Sequence, residues 1–472
     1  MTTPAMALQD LAEAAPGLVG CRGQAAITGL AHDSRAVKPG DLFFCVPGAE
    51  HDGHQFAADA IGRGAVGLVV ERPLGLGCPE METASVRQAM GPISSTFYGH
   101  PSQSMAVIGV TGTNGKTTVC SLLGSVLTAA GLQTKVLGTL TGTRTTPESL
   151  DLQRQLACWR SAGVEAVAME VSSHALHQHR VDGIRYTVAV FTNLTIDHLD
   201  YHGTAEEYFE AKARLFAPEM ADRAVVNRGD EYGRRLLADP RIPTLGYDSS
   251  DLSVEVGPRG LTMRWQGHNV ALSLIGRFNA ANALAAAEVA VLLEVGVPEV
   301  VAGLESAVPV PGRFETIESS RPFTVVVDYA HTPDGLAQVL AAARELVASS
   351  GRLWVVFGCG GDRDSSKRPM MGRVAAELAD QVIVTSDNPR SEDPEAIIAD
   401  ILSGVPKNTG AISAQPDRRE AIAHCLADAS EGDVVLVAGK GHETTQVIGD
   451  QVIPFDDREV VRELVAGGGE RR

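Results

Sequence analysis

The sequence predicts an α/β protein with mostly parallel sheets and one small antiparallel sheet. Its 472 residues exceed what one hydrophobic core usually holds, so about two to four domains are expected. Short apolar strands alternate with helical stretches along much of the chain, which is the pattern of parallel βαβ units. Residues 253–275 mostly alternate apolar and polar side chains instead, and this alternation indicates antiparallel strands.

The chain divides into three predicted domains: an N-terminal domain at 1–99, a central domain at 100–311 and a C-terminal domain at 312–472. Segments with linker composition, 100–105 and 309–313, separate them. The last domain has the regular alternation of a doubly wound sheet, in which active residues are expected at the carboxyl ends of strands. The expected strands are 41–46, 66–70, 106–110, 134–138, 166–171, 188–192, 224–227, 323–328, 352–357, 381–385 and 433–438, and the expected helices are 55–63, 116–130, 279–295, 334–348, 369–379, 394–403 and 417–429.

Composition and charge argue against several classes of protein. The 40 basic and 58 acidic residues give a net charge of −18, which argues against general binding to nucleic acid or an anionic membrane. The seven cysteines are scattered without a C-x-x-C pair, so we expect neither a zinc site nor disulfides, and free thiols suit a reducing cytoplasm. Asp10 and Glu13 precede any long apolar run, and no apolar stretch reaches membrane-spanning length, so neither a signal peptide nor a membrane span is expected.

A glycine-rich turn between the first strand and first helix of the central domain is the strongest functional signal. It reads Val107-Ile-Gly-Val-Thr-Gly-Thr-Asn-Gly-Lys-Thr-Thr118. The backbone N–H groups of such a turn and the N-terminus of the following helix bind phosphate oxygens. Lys116 can reach the β- and γ-phosphates and Thr117 can ligate Mg²⁺, so the sequence predicts ATP binding. Val110 stands where the commonest phosphate-loop pattern has Gly, and a glycine turn with a chance lysine is the alternative.

Two further strands of the central domain end in acidic and imidazole side chains. Glu170-Val-Ser-Ser-His-Ala-Leu-His-Gln-His-Arg180 follows one strand, and Asn193-Leu-Thr-Ile-Asp-His-Leu-Asp-Tyr-His202 follows the next. A carboxylate that leaves a strand beside a phosphate loop is placed to hold Mg²⁺ directly or through water. The alternative is a surface acid with ordinary loop histidines, but two such strand ends beside one phosphate loop favour a shared cleft.

Lys212 is a helix residue with no charged neighbour at helical spacing. Residues three and four positions away are Tyr208, Phe209, Leu215 and Phe216, so no helical ion pair explains the lysine. From the residues alone we expect its stem to cover these apolar groups while its ammonium group reaches water.

Four strand ends of the C-terminal domain carry polar side chains. They are Asp328-Tyr-Ala-His331, Gly358-Cys-Gly-Gly-Asp-Arg-Asp364, Asp387-Asn-Pro-Arg390 and Gly439-Lys-Gly-His-Glu443. Each alone fits a turn, but four at one edge of one sheet predict a ligand site. Arg363 and Arg390 are suited to bidentate capture of a carboxylate.

Taken in order, these segments resemble the Mur ligases, the ATP-dependent amide-forming enzymes of peptidoglycan synthesis. The resemblance covers nearly the whole chain and implies a UDP-binding N-terminal domain, a central ATPase domain and a Rossmann-like C-terminal domain. It is closest to members that add the third peptide residue to UDP-N-acetylmuramoyl-L-alanyl-D-glutamate. It implies that ATP phosphorylates the γ-carboxylate of the D-glutamyl residue and that an amine then displaces phosphate. The matching segments are 33–35, 111–118, 145–147, 170–180, 193–202, 212, 279–282, 312–315, 328–333, 387–390 and 439–443.

The resemblance also implies roles for individual residues. Lys116, Glu170, His198 and Lys212 are the expected catalytic residues. Thr117, Glu170, His198 and Lys212 match a metal site for Mg²⁺, in which Lys212 is the lysine that the family carries as a carbamate. The expected ATP contacts are Gly112, Thr113, Asn114, Gly115, Lys116, Thr117, Thr118, Asn282 on the adenine side, Arg313 and Asp328. The expected contacts of the UDP-muramoyl dipeptide are Ser34, Thr145, Thr146, Ser172, Gln178 and Arg180. Relatives often have Asn where this chain has Arg144, which could still meet an anionic substrate.

The added amino acid is expected to be meso-diaminopimelate rather than L-lysine. The two differ by one distal carboxylate, and Arg390 supplies a cation for it. Lysine would be rejected because Arg390 would be left buried and unpaired. By the same resemblance the amino-acid contacts are Arg363, Asp387, Asn388, Pro389, Arg390, Gly439 and Glu443, with Glu443 suited to the distal ammonium group.

Other functions remain open from the sequence. One is an L-lysine-adding enzyme or another superfamily ligase such as folylpolyglutamate synthetase, against which segments 33–35 and 387–390 count. Another is a nucleotide-binding regulatory protein without turnover, against which the presence of Lys116, Glu170 and Lys212 counts. We expect small-molecule substrates, no nucleic-acid or membrane partner, and a cytoplasmic monomer.

Overall fold

A computed structural model describes residues 5–48, 51–142, 144–257, 259–319, 321–406 and 411–467. The outer ends of the first and last predicted domains, 1–4 and 468–472, lie outside the described residues. The fold is α/β as predicted, with mostly parallel sheets and small antiparallel ones. None of the described helices is both long and apolar enough to cross a membrane.

The first part of the chain forms a five-stranded sheet in which one edge strand is antiparallel to its neighbour and the remaining pairs are parallel. In spatial order its strands are Leu18–Arg22, Glu80–Thr83, Gly67–Val70, Asp41–Phe44 and Gly29–Ala31. A two-stranded sheet pairs Met6–Ala7 with Ala26–Ile27. The α-helices are Leu8–Ala12, Ala57–Gly62 and Val86–Phe97, and short 3₁₀ turns are Ser34–Ala36, Gly53–Phe56 and Pro101–Ser104. The last of these turns occupies the predicted linker at 100–105.

The second part forms a six-stranded, fully parallel sheet with the phosphate-loop strand near its centre. In spatial order its strands are Thr244–Tyr247, Ala221–Asn227, Tyr186–Phe191, Ala106–Thr111, Ala166–Glu170 and Thr134–Leu137. The predicted antiparallel region is a three-stranded sheet of Val254–Gly257, Gly260–Trp265 and His268–Leu272. The α-helices are Lys116–Ala129, Ser149–Ser161, Ser173–His177, Leu199–His202, Ala205–Ala213, Glu231–Ala238, Phe278–Leu292 and Val297–Glu305, with 3₁₀ turns at Arg214–Phe216 and Ser249–Asp251.

The third part forms a six-stranded sheet that is parallel except for one edge strand. In spatial order its strands are Glu315–Ile317, Thr324–Asp328, Val434–Ala438, Leu353–Phe357, Gln381–Val384 and Ala411–Ala414. A hairpin of Thr445–Ile448 and Gln451–Pro454 follows. The α-helices are Pro333–Arg344, Lys367–Leu378, Pro394–Ser403, Arg418–Asp428 and Asp457–Gly467.

Both large sheets are buried on two faces, because successive side chains along a strand point to opposite sides. In the second part, Ile108 and Val110 pack into one core, whereas Val107 packs into the core on the other face. In the third part, Val434 and Leu436 face one core and Val435 faces the other. This two-sided burial produces the near-continuous apolar strands on which the sequence prediction depended.

A fully buried ion pair joins the starts of the last two helices. Arg418 Nη2 lies 2.7 Å from Asp457 Oδ2, and neither side chain is exposed. The Arg418→Met variant is expected to lose about 3–5 kcal/mol of unfolding free energy, because the Asp457 charge would stay buried without a partner. A lower midpoint of thermal unfolding would measure the loss.

Neighbouring Arg419 provides the matched control, because its ion pair with Glu463 is half exposed on both sides. Arg419→Met is expected to change the unfolding free energy by about 0–1 kcal/mol. If Arg418→Met and Arg419→Met lower the unfolding free energy equally, the buried ion pair does not contribute more to stability than the exposed one. Adding Asp457→Leu to Arg418→Met should recover much of the loss, since both charges are then removed.

Candidate active site

The phosphate loop is residues 112–115, between the strand Ala106–Thr111 and the helix Lys116–Ala129. Gly112 has φ +147°, and a Cβ atom there would lie 1.9 Å from Thr192 Oγ1. Thr192 Oγ1 also donates to the carbonyl oxygen of Asn114 at 2.6 Å, and the Asn114 N–H donates to Asn193 Oδ1 at 2.9 Å. The end of the adjacent strand therefore holds the loop in a conformation that requires glycine.

Two lysines converge on one carbonyl oxygen of this loop. Lys116 Nζ donates to the Gly112 oxygen at 2.9 Å and to the Thr113 oxygen at 2.7 Å. Lys212 Nζ donates to the same Gly112 oxygen at 2.8 Å. Burial lowers the pKa of Lys212 well below its ordinary value, and the charge of Lys116 lowers it further. The pKa of Lys116 is also lowered, chiefly by burial.

The expectation that the Lys212 ammonium group reaches water is wrong. The side chain is 1% exposed, and its Nζ lies 4.5 Å from the centre of the Tyr208 ring. The helix Ala205–Ala213 packs its lysine under the phosphate loop, a contact across 100 residues of sequence that helical spacing cannot reveal.

Glu170 lies at the carboxyl end of its strand and is almost completely buried. Its Oε1 accepts from the Thr139 N–H at 2.8 Å, and its Oε2 accepts from the Thr139 hydroxyl at 3.2 Å. A Cβ atom at Gly138 would lie 2.2 Å from Glu170 Oε1, so glycine makes room for the carboxylate. Thr139, which the sequence did not single out, thus orients a predicted metal ligand.

His198 lies beside the buried carboxylate of Asp197, with Nε2 3.3 Å from Asp197 Oδ2. Its ring meets His174 edge-on at a centroid distance of 4.8 Å. Burial lowers the pKa of His198 despite the opposing Asp197 charge, and His174 lowers it further. A neutral imidazole keeps a lone pair that can coordinate a metal. Asp197 belongs to a segment that the sequence singled out but was not itself predicted as a site residue, although its position next to His198 was a usable signal.

One cavity of about 450 Å³ brings the second and third parts of the chain together. Among the predicted residues it is lined by Thr113, Asn114, Gly115, Lys116, Thr117, Thr118, Thr145, Glu170, Ser172, His198, Asn282, Arg313 and Asp328. Tyr329 and His331 also line it; both belong to a strand end at which the sequence predicted a ligand site, although neither was given a role of its own. Residues predicted to contact ATP from two parts of the chain therefore face one space.

The third part of the chain reaches the phosphate loop through Arg313. Its Nη2 donates to Thr117 Oγ1 at 3.2 Å, and its guanidinium lies 4.5 Å from the centre of the Tyr329 ring. Asp328 is buried and accepts from the backbone N–H groups of Phe314 and Ala330, each at 2.6 Å. Burial raises the pKa of Asp328, while Arg313 and these hydrogen bonds oppose the rise.

Asn282 is buried next to the loop, and its Nδ2 donates to Asn279 Oδ1 at 2.9 Å. A Cβ atom at Gly115, which has φ +86°, would lie 2.5 Å from Asn282 Oδ1. The Gly115→Ala variant is expected to weaken ATP binding at least tenfold, because a left-handed alanine costs about 1–2 kcal/mol and its Cβ displaces Asn282. Calorimetric titration with ATP would measure the change.

Gly131 supplies a control with the same kind of strain but no clash, since it has φ +84° and a Cβ atom there would meet no other atom within 4 Å. Gly131→Ala should lower stability similarly while ATP affinity stays unchanged. If both variants bind ATP as the parent does, the role assigned to the Gly115–Asn282 contact is wrong.

Predicted contacts of the UDP-muramoyl dipeptide form a hydrogen-bonded group beside Glu170. Thr146 Oγ1 donates to the Glu170 carbonyl at 2.9 Å and accepts from the Ser172 N–H at 3.2 Å. Arg180 Nη2 donates to Gln178 Oε1 at 2.5 Å, and Arg180 Nη1 donates to the Thr146 carbonyl at 3.3 Å. Thr145 pairs its hydroxyl with that of Thr139 at 3.1 Å.

Ser34 belongs to the first part of the chain and is buried at the start of the turn Ser34–Ala36. Two residues earlier, His32 Nε2 lies 3.3 Å from Asp151 Oδ2 on the helix Ser149–Ser161. The segment that carries Ser34 therefore contacts the second part of the chain through His32. The residue contacted, Asp151, lies a few positions after Thr145 and Thr146 in the sequence.

The predicted amino-acid contacts gather at the carboxyl edge of the third sheet. Asn388 Nδ2 donates to Glu443 Oε2 at 2.8 Å, and a Cβ atom at Gly439 would lie 2.6 Å from Asp387 Oδ2. Pro389 is buried within this group. Tyr329 donates to Glu443 Oε1 at 3.5 Å, which connects the group to the cavity. Lys440 Nζ lies 3.2 Å from Glu443 Oε2. A substrate ammonium group that binds Glu443 would therefore share this carboxylate with Lys440.

Neither arginine of this group is fully buried, although Arg390 was expected to be. Arg390 is half-buried rather than buried, and its Nη1 donates to the neutral Gly361 oxygen at 2.6 Å. Arg363 is exposed. A Cβ atom at Gly360 would lie 2.9 Å from Arg390 Nη1 and 3.7 Å from Arg363 Cγ, so both side chains flank one glycine. A half-buried Arg390 can still contact water when lysine is bound. We therefore expect weaker discrimination against lysine than a fully buried Arg390 would give.

Comparison with known proteins identifies the class that this fold and cavity define. The chain belongs to the Mur ligase family, as its resemblance implied. The Mur ligase middle domain matches residues 110–290, the Mur ligase glutamate ligase domain matches 312–441, and the Mur ligase family catalytic domain matches 26–94.

Individual relatives share most of their length with this chain. The UDP-N-acetylmuramoyl-L-alanyl-D-glutamate--2,6-diaminopimelate ligase of Geobacillus kaustophilus is 46% identical over 474 residues, which cover 95% of this chain and 96% of that protein. The ligase of the same name from Geobacillus thermodenitrificans is 46% identical over 489 residues, covering 98% and 99%. A solved structure of a UDP-N-acetylmuramoyl-L-alanyl-D-glutamate--2,6-diaminopimelate ligase is 33% identical with a TM-score of 0.69 and covers 100% of both chains.

Proposed function

We propose that this chain is an ATP-dependent ligase that joins meso-2,6-diaminopimelate to UDP-N-acetylmuramoyl-L-alanyl-D-glutamate. The observation that best supports this proposal is the cavity lined by the phosphate loop, Glu170 and Arg313. Tyr329 connects this cavity to the group of residues around Arg390, because it donates a hydrogen bond to Glu443. The names of the relatives agree with this reaction.

The proposed reaction has two steps. A γ-carboxylate oxygen of the D-glutamyl residue attacks the γ-phosphorus of ATP, and ADP leaves as the acyl phosphate forms. The amine nitrogen then attacks the acyl carbon, the C–O bond to phosphate breaks, and the nitrogen loses a proton to give the amide. Lys116 and the N-terminus of the helix Lys116–Ala129 supply positive charge where the transferring phosphoryl group carries its negative charge.

The residues present fit a Mg²⁺ ion held jointly with nucleotide. No described group of three or more His, Cys, Asp or Glu side chains could hold a metal by itself. Mg²⁺ usually keeps several waters and binds one or two protein ligands together with substrate phosphates, so an incomplete protein cage is expected. Thr117, Glu170 and His198 line the same cavity and are the proposed ligands. The bound ion would neutralise charge on the β- and γ-phosphate oxygens.

Carbamoylation of Lys212 is supported by its position. Two ammonium groups on the Gly112 oxygen repel each other, and burial lowers the pKa of Lys212, so its amine is favoured in the neutral form. A neutral amine attacks carbon dioxide, and loss of a proton leaves an anionic carbamate beside the Lys116 cation. Intact mass measured with and without added bicarbonate tests this: the parent should gain one carbon dioxide and Lys212→Ala should not.

The remaining assignments follow the same geometry. We propose that Asn282, Arg313 and Asp328 bind the nucleotide, that Ser34, Thr145, Thr146, Ser172, Gln178 and Arg180 bind the UDP-muramoyl dipeptide, and that 387–390 with Arg363, Gly439 and Glu443 bind the diamino acid. We propose UDP-binding, ATPase and amino-acid-binding domains at 1–99, 100–311 and 312–472. One chain supplies all these groups, which supports a monomer. Nucleotide substrates and free thiols support a cytoplasmic location. The net charge of −18 supports the absence of nucleic-acid and anionic-membrane partners.

Product analysis tests the proposed function. The protein is incubated with ATP, Mg²⁺, the UDP-muramoyl dipeptide and an equal mixture of meso-diaminopimelate, L-lysine and L-glutamate. We expect ADP release that requires both acceptor and amine, and a product whose mass shows added diaminopimelate. A lysine adduct would replace the proposed substrate, and ADP release without any adduct would contradict the ligase function.

A further inference from the structure

Three arginines surround a single carboxylate at the junction between the first and second parts of the chain. Glu148 Oε1 lies 2.6 Å from Arg144 Nη1 and 3.2 Å from Arg180 Nε, and Glu148 Oε2 lies 3.5 Å from Arg87 Nη1. Arg87 comes from the first turn of the helix Val86–Phe97, whereas Glu148 directly precedes the helix Ser149–Ser161. This arginine cluster, Arg87, Arg144 and Arg180 around Glu148, carries a formal charge of about +2 in a protein of net charge −18.

The described residues neither balance the positive charge of the arginine cluster nor supply hydrogen bonds to all of its buried polar atoms. Arg87 Nη1, Arg180 Nε and Glu148 Oε2 are buried atoms that make no hydrogen bond to a described residue. The nearby carboxylate of Asp151 is already shared by Arg154 Nη2 at 3.0 Å and His32 at 3.3 Å. Arg87 Nη1 and Arg180 Nε meet Glu148 only as ion pairs, at 3.5 and 3.2 Å, without forming a hydrogen bond. Because buried N–H groups that lack hydrogen bonds are costly, an additional anion would stabilise the cluster.

The crowding is also visible in the acidity of Arg180. Burial lowers its pKa, and the neighbouring charges of Arg144 and Arg87 lower it further, while Glu148 opposes them. One carboxylate therefore does not fully compensate three guanidinium groups.

The cluster lies beside the cavity in which the proposed acyl transfer takes place. Arg144 directly precedes Thr145, which lines that cavity, and Arg180 donates to the carbonyl of Thr146. The terminal glutamyl residue of the substrate carries two carboxylates separated by a short carbon chain. When its γ-carboxylate reaches the phosphate loop, its α-carboxylate stays close by, whereas the diphosphate lies beyond the sugar.

We propose that Arg87 and Arg144, together with Arg180, bind the substrate carboxylate that is not phosphorylated. This inference rests on the proposed function. It adds Arg87, which the family resemblance did not connect with substrate, and it gives Arg144 a defined group of the anionic substrate to bind. Glu148 is the counterion that holds the three guanidinium groups together before substrate binds. Arg87 makes the first part of the chain a direct participant in recognition of the peptide end.

The test compares Arg87→Gln with the parent protein in the ligation assay. We expect the KM for the UDP-muramoyl dipeptide to rise on the order of tenfold to a hundredfold with little change in kcat, because a charged hydrogen bond common to bound and reacting states is lost. Arg87→Lys, which keeps the charge, should recover part of the loss. The KM for ATP should stay the same.

Two ligands distinguish the carboxylate from the diphosphate. The inhibition constant of UDP should be the same for Arg87→Gln and the parent. A substrate analogue with an α-carboxamide should bind the parent more weakly than the dipeptide does. This difference should be smaller for Arg87→Gln, in which only Arg144 and Arg180 remain to bind the carboxylate. Weaker binding of UDP to the variant would assign Arg87 to the diphosphate and overturn the proposal, as would an unchanged KM for the dipeptide.

Two further variants distinguish the loss of a substrate contact from a loss of folding. Arg63→Gln alters an exposed arginine of the same part of the chain, paired with Asp59, and should behave like the parent. Arg144→Ala changes a side chain that is 55% exposed, so the protein should fold, and the KM for the dipeptide should still rise several-fold. If Arg144→Ala leaves that KM unchanged, the proposal is overturned. A parent protein that forms no adduct at all would instead contradict the proposed function.

Discussion

The Lys116→Met variant is expected to lose turnover on the order of a thousandfold while its fold is retained. Methionine keeps the apolar stem but removes the charge that now contacts the Gly112 and Thr113 oxygens and that would turn to the β- and γ-phosphates. Because this charge opposes negative charge on the transferring group, kcat should fall more than ATP affinity. ADP release with all three substrates present measures the first quantity, and calorimetric titration with ATP measures the second.

Lys135→Met is the matched control, since Lys135 is exposed on the strand Thr134–Leu137 of the same sheet. It should leave both quantities unchanged. Retention of more than about a tenth of the parent turnover by Lys116→Met would contradict the assignment of this lysine to phosphate transfer.

The Arg390→Ala variant is expected to raise the KM for meso-diaminopimelate on the order of tenfold to a hundredfold. The guanidinium now donates to the neutral Gly361 oxygen, so its charge is available to the distal carboxylate. The KM for ATP should stay within about twofold, because the phosphate loop lies on another part of the chain. Steady-state rates with diaminopimelate and L-lysine measure the selectivity, which should shift towards lysine.

Arg419→Ala serves as the control because its side chain is half exposed and paired with Glu463 in the same part of the chain. It should alter neither KM nor selectivity. A parent protein that prefers lysine would show that the assignment of Arg390 is wrong. An equal rise of the KM for ATP and for diaminopimelate would indicate general damage rather than a lost contact.

Much of the fold was predictable because both large sheets are buried on two faces. The strands Ala106–Thr111 and Leu353–Phe357 are apolar along almost their whole length, and the structure confirms both. The sequence did not reveal the edge strands Thr244–Tyr247 and Ala411–Ala414. Their side chains are mostly exposed or half-buried, so neither carries an apolar run.

The candidate site was predictable where it follows strand ends and not where it depends on distant packing. Glu170 and Asp328 end parallel strands, and such ends meet at one edge of a sheet. Lys212 reaches Gly112 from a helix 100 residues away, and Arg87 approaches Glu148 from another part of the chain. Neither contact leaves a spacing in the sequence, so only the folded chain reveals them.

The hydrogen bond from Arg313 to Thr117 has a consequence for the order of events in turnover. Asn114 adds a second hydrogen bond between the same two parts of the chain, to Asp334 at 3.4 Å. Thr117 is a proposed Mg²⁺ ligand, so we expect bound nucleotide and ion to compete with Arg313 for its hydroxyl group. Since the third part also carries the residues around Arg390, we expect nucleotide binding to change the position of the amine site relative to the phosphate loop.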